Sequence, residues 1–340
     1  MTASRRLPIA CAALFLAGAG LVGLLVGPVS LGALPILRSA LSHLPLLHVH
    51  SPLSGPDDAI LWQLRAPRVV LGALVGGMLA LAGASYQGVF RNPLADPYLL
   101  GIAAGAGLGA TLAIVYAPDV VHSYDLTPLA AFAGGAVGVV AAYALGRSAG
   151  GRSTASLILA GVTVTSFLTA VQTFVQQQHS QSLQEVYSWI LGHLDTAGWH
   201  DDALVAPYIL VSAVVILFHR RVLDVLSVGD EEAATLGVNV RRTRLVVVAA
   251  ATVGTAGAVA ISGLIGFVGI IVPHAIRLVL GPSYRLILPL SFLGGAGFLV
   301  LTDVIARSVM APAELPIGVV TMFFGAPFFG IVLRTSRSFA

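Results

Sequence analysis

The chain has 340 residues, of which 57% are hydrophobic and only 10% are charged, and its mean hydropathy is +0.92. A soluble chain carries about a quarter charged residues, so this composition excludes an ordinary soluble enzyme and indicates a protein folded in a lipid bilayer. The net charge of +3 comes from arginine alone, because the chain contains no lysine, and it indicates membrane topology and not nucleic-acid binding. The single cysteine, Cys11, excludes an intramolecular disulfide and a multi-cysteine metal site.

Apolar runs of roughly 20 residues predict a single all-α domain over residues 1–340 with ten membrane spans. The first run resembles a signal peptide, but no clear small-residue cleavage site follows it, so we expect it to be retained. The boundary between the seventh and eighth spans is the weakest, because little more than Ser262 and Gly263 divides them. Residues 183–191 predict a short amphipathic helix along the membrane interface. The predicted spans lie at about 7–29, 68–89, 98–116, 127–146, 154–176, 203–219, 245–262, 264–280, 286–305 and 315–333.

Ten spans place both termini on one side, and the arginines indicate which side that is. With a cytoplasmic N-terminus, only four arginines fall outside: Arg38, Arg65, Arg68 and Arg307. The positive-inside rule therefore predicts cytoplasmic termini and supports the count of ten. The other fourteen arginines fall inside, at 5, 6, 91, 147, 152, 220, 221, 241, 242, 244, 277, 285, 334 and 337.

The longest polar interruption in the second half is a predicted cytoplasmic segment at about residues 224–244. It contains a short helical pattern, at whose start carboxylates favour the free N–H groups and the positive end of the helix dipole. Apolar side chains line one side of this pattern, and a glycine ends it. The residues concerned are Gly229, Asp230, Glu231, Glu232, Ala233, Ala234, Thr235, Leu236 and Gly237, with Arg241, Arg242 and Arg244 following. We interpret the segment as a contact for a soluble partner; a solvated loop that only joins two spans is the alternative.

The fifth predicted span carries a narrow polar stripe without charge. Thr165, Thr169, Gln172 and Gln176 share one side of the helix, and Phe167 and Phe174 lie opposite. Amide groups in hydrocarbon are costly unless they find partners or water. The stripe predicts either the wall of a pathway for a bulky solute or hydrogen bonds to a neighbouring helix, and the sequence leaves both open.

Sites for chemistry within the chain are not indicated. There is no P-loop, H-E-x-x-H, C-x-x-C or G-x-S-x-G motif. The cluster formed by His43, His48 and His50 has no carboxylate at fixed spacing, and we interpret it as surface histidine. Arg307, one helical turn after Asp303, can pair with it. Recurrent glycines at spacing four, including Gly101, Gly105 and Gly109, predict close helix packing inside one bundle.

Several motifs resemble those of the FecCD family, the permeases of ABC importers for iron-siderophores, haem and cobalamin. They follow the family's order along nearly the whole chain, and Ala66 is a mild departure, since the family usually has leucine there. The motifs are Arg65-Ala-Pro-Arg68, Gln87-Gly-Val-Phe-Arg-Asn-Pro-Leu-Ala-Asp-Pro-Tyr-Leu-Leu-Gly101, Gly229-Asp-Glu-Glu-Ala-Ala-Thr-Leu-Gly237, Gly263-Leu-Ile-Gly-Phe-Val-Gly-Ile-Ile-Val-Pro-His-Ala-Ile-Arg277 and Ala313-Glu-Leu-Pro-Ile-Gly-Val-Val320.

This resemblance implies a type II ABC importer permease of the bacterial inner membrane, iron-siderophore transport being favoured over haem or cobalamin. It implies a homodimer with two cytoplasmic ATPases, which bind ATP and Mg²⁺ in place of this chain, and a periplasmic or lipoprotein binding protein. It implies that residues 229–237 receive ATPase motion and that Arg65, Arg68 and Arg307 receive the binding protein. An ion-coupled secondary transporter is the alternative, although its spans would need ionisable residues as ion sites. A membrane receptor that transports nothing is a further alternative.

Overall fold

The computed structural model describes residues 3–42, 51–117, 126–148 and 154–335, and within these ranges the chain forms helices and connections but no strand. The helices of the first half are α1 (Ala3–Leu25), α2 (Ala33–Ser42), α3 (Gly55–Ala59), α4 (Ala66–Phe90), α5 (Ile102–Tyr116), α6 (Leu126–Ser148) and α7 (Thr154–Gln178). Those of the second half are α8 (Leu183–Ile190), α9 (Trp199–Phe218), α10 (Arg220–Leu226), α11 (Asp230–Thr235), α12 (Val240–Ser262), α13 (Val268–Leu280), α14 (Tyr284–Ser308) and α15 (Ile317–Thr335). Short turns of other helix types lie at Ile60–Arg65 (π), Pro97–Leu100 and Ser180–Ser182 (both 3₁₀).

Helix α4 lies at the centre of the bundle. Its sequence is apolar on all sides, which is typical of a helix surrounded by others, and its side chains are almost continuously buried from Leu71 to Val89. It packs against α9, α12, α13 and α14. Its Tyr86 hydroxyl forms a 3.0 Å hydrogen bond with Thr252 of α12, so the polar end of this buried ring is satisfied.

Glycines allow the backbones of neighbouring helices to touch. A Cβ at Gly76 of α4 would lie 2.3 Å from the Gly295 carbonyl oxygen of α14, and one at Gly105 of α5 would lie 2.2 Å from that of Gly134 on α6. These distances leave no room for a side chain. The prediction that the spaced glycines serve packing within the bundle is confirmed at these contacts.

Seven helices among the described residues are long and apolar enough to cross a membrane. They are Arg6–Leu25, Gly55–Phe90, Leu126–Ser148, Ser156–Gln178, Trp199–Phe218, Val240–Ser262 and Tyr284–Ser308, the places of seven of the predicted spans. Shorter apolar helices at Ile102–Tyr116, Val268–Leu280 and Ile317–Val332 stand where the third, eighth and tenth spans are predicted. The count of ten and the orientation of the termini stay predictions.

The connection between α12 and α13 explains why that boundary is weak in the sequence. Residues 263–267 form no helix, and the break is held by two residues with positive φ, Gly263 (67°) and Phe267 (69°). The hydroxyl of Tyr98 donates to the Ile265 carbonyl oxygen at 3.1 Å and accepts from the Ile265 amide at 3.2 Å. A side chain from the α4–α5 connection thus satisfies backbone groups that the break leaves free.

Candidate functional site

Arg68, near the start of α4, holds two carboxylates at the end of the bundle that the sequence predicts to be external. Its Nε donates to the two Asp303 oxygens at 2.9 and 3.1 Å, and its Nη2 donates to Asp303 at 2.8 Å. Its Nη1 and Nη2 also donate to the Glu314 carboxylate at 3.0 and 2.7 Å. The planar guanidinium group suits such paired contacts on two edges. Asp303 is buried on α14, whereas Glu314 lies on the α14–α15 connection with its side chain 34% exposed.

Arg65 and Arg307 lie inside the protein, which corrects their interpretation as surface anchors for a binding protein. Arg65 is 4% exposed and donates to the carbonyl oxygens of Leu24 (2.8 Å), Leu25 (3.2 Å) and Val29. Arg307 is 3% exposed and donates to the Gly23 carbonyl oxygen at 2.6 Å. Both guanidinium groups are therefore directed at the end of α1 and not at an outside partner.

Arg65 and Arg307 are directed inwards because the last carbonyl groups of a helix, here α1, lack partners and carry partial negative charge. Two buried cations satisfy these groups, and the local glycines make room for them. A Cβ at Gly27 would lie 2.6 Å from Arg65 Nη2. Arg307 Nε also lies 3.5 Å from Asp303, so the predicted pairing of these two residues is confirmed.

The backbone of residues 191–193 is hydrogen-bonded to the start of α15 and to the end of α12, at the predicted external end. The Leu191 and Gly192 carbonyl oxygens accept from the amides of Gly318 (3.0 Å) and Ile317 (3.3 Å) at the start of α15, and the His193 amide donates to Ser262 at the end of α12 (2.9 Å). Burial lowers the pKa of the His193 imidazole. A cavity of about 90 Å³ separates this segment from the Arg68 cluster.

At the opposite end, the predicted short helix is confirmed as α11, which begins at Asp230 and is followed by Gly237 at a φ of 80°. Arg244, on α12, donates to the two Asp230 oxygens at 2.8 and 2.7 Å. Arg91, which ends α4 in a left-handed conformation, lies 3.5 Å from the same carboxylate. One carboxylate thus connects α11 to both α4 and α12.

The two sides of α11 differ in burial. Ala233 is fully buried against the bundle, whereas Ala234, Thr235 and Leu236 are exposed, Leu236 by 72%. The exposed side also carries Glu231 and Glu232. This surface, residues 231–236 without Ala233, is available to another molecule.

The segment before α11 is also fixed to the bundle. Asp224, on α10, accepts hydrogen bonds from the Ser283 hydroxyl (3.1 Å) and the Tyr284 amide (2.5 Å) at the start of α14, and it pairs with Arg285 at 3.1 Å. A carboxylate at a helix start satisfies free amides and the dipole there. Residues 224–244 are therefore held to α4, α12 and α14.

The polar stripe of the fifth predicted span is not on one accessible side of α7. Gln172 is 8% exposed, and its amide donates to the Thr111 hydroxyl of α5 at 3.1 Å. Thr165 and Gln176 are half-buried, and Thr169 is exposed. At Gln172 the structure supports the second of the two predicted roles, an interhelical hydrogen bond.

The uncovered side of α7 is instead the side that carries Phe167 and Phe174, which are 67% and 64% exposed. It is not purely apolar. Thr163, Ser166 and Thr173 lie on it, and each hydroxyl donates to the carbonyl oxygen four residues earlier at 2.9 Å. These side chains have already used their donors within the helix, so they form a polar but weakly binding surface.

No group of three or more histidine, cysteine, aspartate or glutamate side chains in the described ranges is arranged to hold a metal ion. The cluster His43, His48 and His50, predicted to lie on the external side, is outside those ranges.

Comparisons with known proteins give one consistent result. The profile of the FecCD transport family matches residues 14–335. The cobalamin import system permease protein BtuC of Halobacterium salinarum is 42% identical over 307 residues, covering 90% of this chain and 81% of that protein. The hemin transport system permease protein HmuU of Yersinia pestis is 38% identical over 294 residues, covering 83% and 86%. A solved metal-chelate type ABC transporter in an inward-facing conformation superposes with a TM-score of 0.82 at 28% identity, covering 96% and 98%.

Proposed function

Because the chain belongs to the FecCD transport family, we propose that it is the membrane permease of an ATP-driven importer that takes up a metal chelate across the cytoplasmic (inner) membrane. The observation that carries the proposal is α11, a short helix fixed by Asp230 and Arg244 to the bundle of a chain that matches this family almost throughout. Relatives named for cobalamin and hemin transport leave the cargo within the class of large chelates. Iron-siderophores, haem and cobalamin are therefore the cargoes to test.

The assembly we propose contains two copies of this chain, two ATPase subunits and one external binding protein. The uncovered side of α7 supports the second copy, since it combines Phe167 and Phe174 with the polar Ser166 and Thr173. Small hydroxyl side chains of this kind are enriched where membrane helices pack closely against one another, because they let the two backbones approach. The absence of charge along α7 suits the release of a large chelate.

ATP chemistry is assigned to the partner subunits, since a chain without lysine has no P-loop lysine to hold nucleotide phosphates. This chain's part is to receive their motion. The exposed side of α11 offers Leu236 beside two carboxylates, which suits insertion into a groove on a soluble domain. The Asp230 contacts to Arg244 and Arg91 then provide a direct route from α11 to α12 and α4.

Docking of the binding protein is assigned to Arg68 and not to Arg65 or Arg307. Arg65 and Arg307 are committed to α1, whereas the outer edge of Arg68 is paired with a partly exposed carboxylate. The Arg68 side chain is 12% exposed, so its charge is accessible at this outer edge alone, and a charge at the rim of an interface steers association and loses effect with salt.

The test is reconstitution of the permease, its ATPase and its binding protein in liposomes, followed by uptake of iron-siderophore, haem and cobalamin. We expect uptake of one of these chelates to require ATP on the side of the liposome membrane where the ATPase lies. This uptake should continue after ionophores collapse the ion gradients. ATP-independent uptake that stops with the ionophore would instead support the secondary transporter.

A further inference from the structure

Four arginines lie at the predicted cytoplasmic end of the helix pair formed by α9 and α12. The two helices pack against each other, and a Cβ at Gly254 of α12 would lie 2.8 Å from the Ser212 Cβ of α9. A Cβ at Gly257 would lie 3.2 Å from Tyr208, so the helices run antiparallel. The end of α9, with α10 directly after it, therefore lies at the same end of the bundle as the start of α12. The arginines of this α9–α12 site are Arg220 and Arg221 at the start of α10, and Arg241 and Arg242 at the start of α12.

Each of the two helices carries an exposed apolar stripe that leads to these arginines. On α9, Val214 is 67% exposed and Phe218 is 85% exposed, and the exposed Arg221 follows Phe218 after three residues. On α12, Leu245 is 52% exposed and follows the exposed Arg241 after four residues. In a bilayer, the exposed apolar side of a spanning helix faces the acyl chains, and arginines at its end extend to the headgroups. The site therefore combines a surface for acyl chains with a cluster of cations.

The four arginines form no ion pair within the part of the chain that the structure describes. The nearby carboxylates on α10 and at the start of α11 have other partners. Asp224 pairs with Arg285 at 3.1 Å, and Asp230 pairs with Arg244 at 2.7 Å and with Arg91 at 3.5 Å. The charge of the α9–α12 site is therefore not compensated by the fold.

The start of α12 is an unfavourable place for cations. Arg241 and Arg242 are its second and third residues, and its first turn contains no acidic side chain. The first N–H groups of a helix carry partial positive charge, which disfavours cations beside them. The cap is uncharged, since the Asn239 side chain accepts from the Arg242 amide at 3.0 Å. An anion from outside the chain would compensate both the helix end and the two guanidinium groups.

From these observations we infer that the α9–α12 site binds an anionic phospholipid. The arginines hold its phosphate, and its acyl chains lie along the stripes that end at Phe218 and Leu245. The planar guanidinium group suits this role, because it pairs with two phosphate oxygens at once. A zwitterionic lipid balances its phosphate with its own cation and is bound more weakly. The inference goes beyond the proposed function and does not depend on the cargo.

The experiment adds phosphatidylglycerol or phosphatidylcholine to the purified permease–ATPase complex in mild detergent, and native mass spectrometry counts the bound lipids. We expect phosphatidylglycerol to bind more tightly. Arg221→Gln combined with Arg241→Gln should raise its Kd roughly twenty- to thirtyfold, because each arginine near a membrane surface contributes about fivefold. Arg147→Gln is the matched control, since this exposed arginine lies in the last turn of α6, where the helix dipole favours a cation. It should raise the Kd less than about twofold, the change expected for a weak surface contact.

A charge-conserving variant separates lipid binding from a damaged fold. Arg221→Lys combined with Arg241→Lys should keep most of the affinity for phosphatidylglycerol, and the melting temperatures of both double variants should match that of the unmodified complex. Equal loss of affinity in the lysine and glutamine variants would overturn the inference, as would equal affinity of the unmodified complex for the two lipids.

Two further outcomes would assign the arginines to another ligand. Inorganic phosphate in large excess should not displace the lipid, because it gains nothing from the apolar stripes. Full displacement would mean that the site binds a free anion. Loss of the ATPase subunits from the glutamine variant, with unchanged lipid binding, would assign the arginines to the contact with the ATPase and overturn the lipid site.

Discussion

Arg244 and Asp230 form a bidentate ion pair, with N–O distances of 2.8 and 2.7 Å, that fixes the first residue of α11 to the first turns of α12. The Arg244 side chain is 25% exposed and that of Asp230 is 41% exposed, so solvent screens the pair and its contribution to stability is small. Its importance is geometric. A short helix of six residues has little packing of its own, and this pair determines how it is held against the bundle.

Asp230→Asn should therefore uncouple ATP hydrolysis from transport with little effect on folding. We expect transport per ATP hydrolysed to fall several-fold, measured by parallel uptake and phosphate release in liposomes. Glu231→Gln, a neighbouring neutralisation on the exposed side, is the control for charge alone. Exchange of the pair, Asp230→Arg with Arg244→Asp, should restore part of the coupling. Full coupling in Asp230→Asn would remove the pair from the transmission route.

Gly27→Ala should destabilise the permease, because the new Cβ would lie 2.6 Å from the Arg65 guanidinium group. Either the side chain or the end of α1 must move, and hydrogen bonds from a charged donor to the Leu24 and Leu25 carbonyl oxygens are lost. The expected cost is about 1–3 kcal/mol, seen as a lower melting temperature in detergent. Gly18→Ala, within α1, meets nothing within 4 Å and should be neutral or stabilising.

Arg65→Met provides a second measurement of the same contact. It should lower the melting temperature and leave the association of the binding protein nearly unchanged in the molecules that remain folded. Reduced association of the binding protein at unchanged stability would mean that Arg65 does take part in docking.

The sequence predicts the helices well because the membrane requires long apolar runs, but it predicts side-chain direction poorly near helix ends. Arg65 and Arg68 are three residues apart and look equivalent, yet a π-helical turn ends at Arg65 and the two side chains reach different partners. Gln172 shows the same limit, since a polar stripe cannot distinguish a lumen from Thr111 of α5. The glycines at 23 and 27, close to the end of an apolar run, are the signal that something large approaches α1 there.

The arginine distribution predicts cytoplasmic termini. A reporter that is active only outside the cytoplasm should be silent when it is fused after Ala340. A fusion after Ser54, in the predicted external segment before α3, should be active and serves as the control. Activity at both positions would mean that an even number of spans lies between Ser54 and Ala340. That result would contradict the ten-span count.

The last prediction concerns the uncovered side of α7. If this side faces a water-filled path between two copies, cysteines at Ser166 and Thr173 should react with a membrane-impermeant maleimide once Cys11, the only native cysteine, is replaced. A cysteine at Gln172 should react slowly, since that position is 8% exposed and points to Thr111.

The control for lipid exposure is Val214 on α9, which is 67% exposed in the single chain and has mainly apolar exposed neighbours. A cysteine there should remain unreactive, because thiolates do not form in hydrocarbon and the reagent does not enter it. Trapping nucleotide in the ATPase should change the labelling at Ser166 and Thr173 and leave Val214 unaffected. Equal, nucleotide-independent reactivity at all three positions would mean that the uncovered side of α7 does not line the path. Stronger labelling at Gln172 than at Ser166 would mean that the stripe predicted from the sequence lines the path instead.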